Sequence, residues 1–580
     1  MGKKELLKKQ KVIVVGNGMV GHHFIDQLNK ANTNKFSIAT FSEESRLAYN
    51  RVMLTSYFTG NSADDLALTT PQAYDQQGVE FYVNEEVITI DRTLKNLTTI
   101  SGKVLSYDKL VLATGSFPFV PPVPGKDQDH IHVYRTLNDL DAIASSAQSS
   151  QVGVVIGGGL LGLEAANAIK QLGLETHVVE FAPRLMAVQL DQDGGDLLCE
   201  KITALNVKVH TEKNTTEIIK GENCRYRMNF ADSSFLETDI IVFSAGIRPQ
   251  DKLARQSGLT IGERGGIVVN DHCLTSDDSI YAIGECALWD NKIFGLVAPG
   301  YAMAKTAVSH LTKDNELTEL KYFTGADMST KLKLLGVEVG SIGDAHGITP
   351  DSQSYSFVDS VSGTYKKIVV SSDGQTLLGA VLVGDTSDYS QWLPLVLNKT
   401  KLTVPPEHLL LPEIEGLAAT GIEDLADNAQ ICACYDVTKL SLCDAIGKGA
   451  DDITAIKSCT SAGTGCGGCI PLVTQILNNE LEKQTVISGN DNDHSHSLSH
   501  SDTYYIFPSI TNGDLTPQHL ISIGELAKEY NLFTKITSAQ RIDLLGAQSH
   551  QLASIKQKMA DVGLEAAHSL DQNQFILNSE

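Results

Sequence analysis

A Gly-x-Gly-x-x-Gly turn occurs twice, each time between an apolar run and a helical stretch. In the first copy, Val12-Ile-Val-Val15 leads into Gly16-Asn-Gly18-Met-Val-Gly21, and a helical pattern continues from His22 to Lys30. A second strand is expected over Phe36 to Phe41, followed by an acid, Glu43, twenty-two residues past Gly21. That is the order of a dinucleotide-binding unit. One glycine makes the tight turn, the next lets a pyrophosphate approach the backbone, and the third packs helix on strand. The acid at the end of the second strand accepts from a ribose hydroxyl; Glu44 is an alternative to Glu43. The second copy reads Val152-Gly-Val-Val-Ile-Gly157-Gly-Gly159-Leu-Leu-Gly162, with a strand from Thr176 to Val179 ending at Glu180. A carboxylate there bonds a 2′-hydroxyl and repels a 2′-phosphate, which favours NADH over NADPH, although Arg184 lies four residues on.

The repeat extends further. Tyr107-Asp-Lys-Leu-Val-Leu-Ala-Thr114-Gly115 follows the first fingerprint, and Thr238-Asp-Ile-Ile-Val-Phe-Ser-Ala-Gly246 follows the second. Each is a strand ending in a Gly turn with a proline shortly after, Pro118 and Pro249. Duplication on this scale implies two similar folds with two nucleotide sites, which suggests FAD and a nicotinamide nucleotide.

Downstream, Cys432-Ala-Cys434 and Cys466-Gly-Gly-Cys469 are two tight cysteine pairs separated by 31 residues. Four thiolates satisfy a structural zinc or an iron–sulfur cluster. Cys-x-Cys spacing is less usual for zinc, and the upstream half reads as an electron-delivery module, so the iron–sulfur reading is preferred. Glycines around Cys466 free backbone N–H groups, and Pro471 suits the first turn of a helix, so the second pair is expected in a loop at a helix N-terminus. Cys443 is expected in a core and Cys459 near the loop. Thr438, Asp452 and Thr516 are expected helix caps. Ser488 to Thr503, with three histidines, reads as a polar linker. Beyond it, Pro517 opens an amphipathic helix, Phe533 to Leu544 reads as one strand and Ser549 to Val562 as a helix.

The residues carry a resemblance. The two fingerprints, Ala113-Thr114-Gly115 and Ile280-Tyr-Ala-Ile-Gly284-Glu285-Cys-Ala are similar to the two-dinucleotide-domain flavoprotein reductases. The cysteine spacing resembles the [2Fe-2S] domain of the bacterioferritin-associated-ferredoxin type. The whole chain resembles the large subunit of assimilatory NAD(P)H-dependent nitrite reductase. The resemblance implies FAD on the first fingerprint with Glu43, Arg51, Thr114, Gly115, Gly284 and Glu285, where most reductases carry Asp in place of Glu285. It implies NADH at Gly157, Gly159, Gly162, Glu180 and Gly246, and a [2Fe-2S] cluster on Cys432, Cys434, Cys466 and Cys469. No cysteine lies between Arg46 and Gly60, so disulfide chemistry on the flavin is not expected; Arg46, Tyr49 and Arg51 are candidates to line the flavin instead. Thr534, Lys535 and Arg541 match the half-domain that meets a sirohaem. The sirohaem–[4Fe-4S] centre needs four cysteines beyond Cys469 and none follows, so this chain by itself does not ligate it. No catalytic acid, base or nucleophile is singled out.

The expected fold class is α/β, with FAD-binding parts over 1–120 and 246–320, an NAD(P)H-binding domain over 121–245 and a small α+β domain over 321–400. A helical [2Fe-2S] domain over 425–485, a linker over 486–503 and a ferredoxin-like half-domain over 504–568 complete it. A formal charge of −24 argues against nucleic acid and anionic membranes as partners, and no apolar run reaches membrane-spanning length. Cysteine usage suggests the cytoplasm. Expected partners are NAD(P)H, a sirohaem module or small nitrite reductase subunit, and a second copy of the chain. The alternatives are a stand-alone reductase of a rubredoxin or ferredoxin, or a non-enzymatic iron or redox sensor.

Overall fold

The computed structural model describes residues 9–31, 35–313, 320–411, 425–433, 435–464, 467–487, 503–509, 516–530, 532–536, 542–548, 551–562 and 564–570. They form two compact units, 1–487 and 488–580.

Valine- and isoleucine-rich runs with polar ends make the central strands of two parallel sheets. In the first, Gln10–Val15 lies between Phe36–Phe41 and Lys109–Leu112, with Val79–Tyr82 and Ile280–Ala282 outside them. In the second, Val152–Ile156 lies between Glu175–Val179 and Ile240–Phe243, flanked by Val207–His210 and Ile131–Val133. The two sheets share one strand order around the fingerprint strand. Each also carries a three-stranded antiparallel meander between the third and fourth strands counted from its fingerprint strand, Val87–Ser106 in one and Thr215–Thr238 in the other. Strands buried on both faces read as continuous apolar runs, and Val12, Ile13 and Val14 are 0% exposed. Helix α1 (Met19–Lys30) follows the first fingerprint and helix α2 (Leu160–Gln171) the second.

The sequence repeat has a physical consequence at its two prolines. Ser116–Pro118 pairs antiparallel with Ile247–Pro249, so the chain leaving each Gly turn is hydrogen-bonded to its counterpart in the other half. This short ribbon joins the two halves next to Gly115 and Gly246. Helix α3 (Val297–Leu311) then returns to the first half and packs against α1.

A five-stranded antiparallel sheet follows over 330–383, covered by helix Tyr389–Leu397, whose Trp392 is 2% exposed. The cysteine segment then forms a short hairpin, Gln430–Cys432 with Val437–Thr438, and three helices, Lys439–Gly447, Ile453–Thr460 and Ile470–Ile487. Thr438 and Asp452 cap the first two of these, as expected. In the second unit a four-stranded antiparallel sheet backs onto Pro517–Glu529 and Leu552–Ala560, with Thr516 capping the former.

One expected element is corrected. Phe533 to Leu544 is not a single strand: Phe533–Ile536 and Ile542–Gln548 pair with each other antiparallel, Thr534 opposite Leu544. The run Thr537-Ser-Ala-Gln540 between them, without a large apolar side chain, has the composition of a connection, not of a strand interior. Those residues and Arg541 lie outside the described residues, as does the whole polar segment 488–502.

Candidate functional site

The two fingerprints fold alike because the same steric problem is solved twice. Gly16 has φ +106°, and a Cβ on it would lie 2.2 Å from the Ala113 carbonyl oxygen. Gly157 has φ +119°, with the Ser244 oxygen at the same 2.2 Å. A Cβ on Gly21 would meet Gly16 O at 2.0 Å, and one on Gly162 would meet Gly157 O at 1.9 Å. Only glycine permits this approach of helix to turn. Gly18 and Gly159 differ from these: nothing lies within 4 Å of a Cβ placed there. Each is the N-cap of its helix and provides no capping side chain, so the first amides of α1 and α2 open onto clear space. Free amides at a helix start, with room in front of them, are the fit a pyrophosphate requires.

Around the first fingerprint the structure gathers groups from distant parts of the chain. Glu285 accepts from Ser116 Oγ at 2.6 Å and from Arg135 Nη2 at 2.5 Å, so it is not a solvated loop carboxylate. The Nε of Arg135 is buried without a hydrogen-bond partner among the described residues, a donor left for a bound group. Thr114 Oγ1 donates to Gln250 O at 2.6 Å, and Gln250 N donates to Gly115 O, which ties the two Gly turns together. Arg51 pairs with Glu44 and donates to Arg135 O at 3.3 Å, while Tyr49 OH donates to Glu44 at 2.7 Å. Glu44 is thereby occupied, and exposed Glu43 is the acid left at the end of Phe36–Phe41. Although the residue as a whole is exposed, partial desolvation of its carboxyl and the neighbouring charges of Glu86 and Glu44 push Glu43 upward. Arg46 is exposed.

At the second fingerprint Glu180 accepts from the Gly158 amide and, at 2.7 Å, from Ala182 N. The carboxylate is thus held across the mouth of the turn. Gly246 leaves open space, and Gly284 packs on Val20 of α1.

Two groups had no local sequence signal. Arg135 comes from between the repeats, 150 residues from Glu285. Glu164, on the first turns of α2, has its carboxyl pushed up from 4.5 to about 7 by burial alone. Below pH 4.5 it is protonated both folded and unfolded. Between 4.5 and about 7 the unfolded chain ionises first, so stability falls as pH rises and then levels off. The accumulated loss is up to about 3 kcal/mol. Glu164→Gln is therefore expected to raise the melting temperature above pH 7 and to leave it unchanged at pH 4, measured by scanning calorimetry; equal gains at both pH values would contradict the assignment.

The cysteines are brought together in part. Cys432 and Cys469 are 3% and 7% exposed in one core with Leu442, Ile456, Leu472 and Ile476. Cys469 directly precedes helix Ile470–Ile487, so the second pair does sit at a helix N-terminus with Pro471 in its first turn. Cys434 and Cys466 lie outside the described residues. Two buried sulfurs beside a Gly-rich loop fit a thiolate-ligated cluster. Cys443 packs at the edge of that core and Cys459 is exposed.

Residues 10–310 match the family Pyridine nucleotide-disulphide oxidoreductase, and 329–400 match the Rubredoxin NAD+ reductase C-terminal domain. Residues 430–479 match the BFD-like [2Fe-2S] binding domain, and 498–562 the Nitrite/Sulfite reductase ferredoxin-like half domain. The chain is 46% identical to the nitrite reductase (NADH) large subunit of Escherichia coli, over 97% of this chain and 74% of that one. The chain belongs to the family of NAD(P)H nitrite reductase large subunits. It is also 46% identical to the nitrite reductase [NAD(P)H] large subunit of Klebsiella oxytoca, over 97% of this chain and 66% of that one. Among solved structures, a ferredoxin reductase of Rhodopseudomonas palustris aligns with TM-score 0.62 and 25% identity, over 69% of this chain and 97% of that one. As a nitrite reductase large subunit, the chain is an FAD- and NAD(P)H-dependent oxidoreductase carrying a [2Fe-2S] domain. Among its described residues no helix is long and apolar enough to cross a membrane.

Proposed function

We propose that this chain is the electron-input part of a cytoplasmic NADH-dependent nitrite reductase. Bound FAD would supply hydride acceptance from NADH and release of electrons one at a time. Gly16, Gly18 and Gly21 hold its pyrophosphate on the start of α1, Glu43 takes a ribose hydroxyl, and Thr114, Gly115, Gly284 and Glu285, with Arg51 and Arg135 behind, border the rest. Gly157, Gly159 and Gly162 hold the nicotinamide nucleotide, with Gly246 at the junction. Glu180 selects the 2′-hydroxyl, because a 2′-phosphate would meet its carboxylate. Cys432, Cys434, Cys466 and Cys469 ligate the cluster. The observation that carries this reading is the paired ribbon Ser116–Pro118 and Ile247–Pro249, which sets the two fingerprint halves edge to edge with their Gly turns adjacent.

The acceptor is a sirohaem module, as the half-domain at 498–562 and the names of the relatives suggest. The rubredoxin reductase reading draws on the match at 329–400. One experiment separates them. The purified chain is mixed anaerobically with a sirohaem nitrite reductase module or with a rubredoxin, and NADH or NADPH oxidation is followed. Nitrite-dependent oxidation with the first, faster with NADH, is expected. Turnover on the carrier alone would replace this reading with the other.

A further inference from the structure

The cluster segment does not hang from the flavoprotein half by its linker alone. Tyr435 follows Cys434 directly, and its ring meets two rings of the first half: Tyr301 at 5.6 Å and His23 at 6.0 Å between centroids. His23 and Tyr301 are themselves stacked at 4.2 Å, 26° from parallel. Lys305, one turn along α3 from Tyr301, donates through Nζ to the Tyr435 carbonyl and lies 6.0 Å over its ring. Ala298, at the start of α3, packs against the core that holds Cys432 and Cys469.

The other side of this contact reaches the flavin fingerprint within a few residues. His23 is two positions past Gly21 on α1. Tyr301 follows Gly300, where a Cβ would lie 2.5 Å from Val20 Cγ2 and 3.2 Å from the Gly284 Cα. The helices bearing His23 and Tyr301 are thus locked together by the glycine and acid segments assigned to FAD. His23 is 7% exposed, and its Nε2 has no hydrogen-bond partner among the described residues. Burial and Lys305 push it down to about 4, so the ring packs neutral against the two tyrosines. A polar ring kept neutral and buried in an aromatic stack serves packing of this junction, not solvation.

We propose that His23, Tyr301, Lys305 and Tyr435 form the junction that positions the cluster-ligand loop for electron delivery from the flavin half, with Tyr435 as its central positioning residue. The proposal rests on the cofactor assignment above. Each transfer would move one electron from the reduced flavin to the oxidised cluster, which passes it to the acceptor proposed above before taking the next; two such transfers use the electron pair of one NADH hydride, its proton is released to solvent, and no protein bond forms or breaks.

The test uses the holoprotein in anaerobic stopped flow, reading flavin and cluster absorbance separately, for the wild type, Tyr435→Ala, Tyr435→Phe and Lys305→Met. Tyr435→Ala is expected to keep NADH-to-flavin reduction and dithionite reduction of the cluster, and to slow flavin-to-cluster transfer at least about tenfold, since loss of positioning by an ångström costs on that order or more. Tyr435→Phe, which retains the ring, should stay close to the wild type, and Lys305→Met should fall between. Hydrogen exchange over 297–305 should rise in Tyr435→Ala without NADH present. An unchanged transfer rate in both Tyr435→Ala and Lys305→Met overturns the proposal. If Tyr435→Ala fails to hold a cluster, Lys305→Met decides alone, because it leaves the ligand loop intact. A wild type whose cluster never accepts electrons from NADH would refute the cofactor chain itself, a separate failure.

Discussion

Cys469→Ser is expected to abolish electron transfer beyond the flavin while leaving NADH-to-flavin reduction at the wild-type rate. Cys469 is 7% exposed, directly before the helix Ile470–Ile487, in the same core as Cys432. A serine oxygen there is a hard ligand that does not match iron in a thiolate set, so the cluster would be lost or labile. The first half carries its own cores around Val12–Val15 and Val154–Ile156, remote in sequence from this loop, and it would keep its fold. Visible absorbance of the purified variant and stopped-flow bleaching of the flavin measure both parts. A variant that still passes single electrons onward at the native rate would remove Cys469 from the ligand set.

The second large effect is expected at the first fingerprint, where two glycines two residues apart should behave differently. Gly16→Ala places a Cβ 2.2 Å from the Ala113 oxygen at φ +106°. Backbone strain of about 1–3 kcal/mol and a packing cost of about 1–3 kcal/mol act together. The variant should therefore melt several degrees lower and purify without flavin. Gly18→Ala meets nothing within 4 Å and has ordinary extended backbone, φ −88°. It should fold normally in the absence of flavin and still bind FAD poorly, because the added methyl fills the space in front of the α1 amides. Calorimetry and flavin content of the two proteins separate fold from site. Full flavin in Gly18→Ala would show that the pyrophosphate lies elsewhere.

What was legible in the sequence was local. Gly16, Gly18 and Gly21 are contiguous, and their steric logic needs only the strand before and the helix after; the copy at Gly157 repeats it. The cysteine pairs were legible for the same reason, and the helix start at Ile470 follows from Pro471. What was hidden depends on long sequence separation. Arg135 gives no motif, yet it meets Glu285 150 residues away. The prolines 118 and 249 were seen as parallel features of two repeats, and only the fold shows that they pair with each other. Glu43 and Glu44 are adjacent in the chain, and only the fold shows that Arg51 and Tyr49 engage Glu44. His23, Tyr301 and Tyr435 lie far apart in the chain, and only the fold brings their rings together. The expected single strand Phe533 to Leu544 is two strands because Thr537-Ser-Ala-Gln-Arg541, which offers no alternating apolar side chains, separates Ile536 from Ile542.

The central claim is a path from NADH through FAD to a [2Fe-2S] cluster in one chain. Anaerobic titration with NADH, following flavin bleaching and the low-temperature EPR spectrum together, tests it most directly. The account predicts bleaching with a rhombic spin-one-half signal that is absent from Cys469→Ser. Bleaching with no such signal even after dithionite, and stoichiometric zinc by elemental analysis, would contradict it and make the four cysteines a structural site.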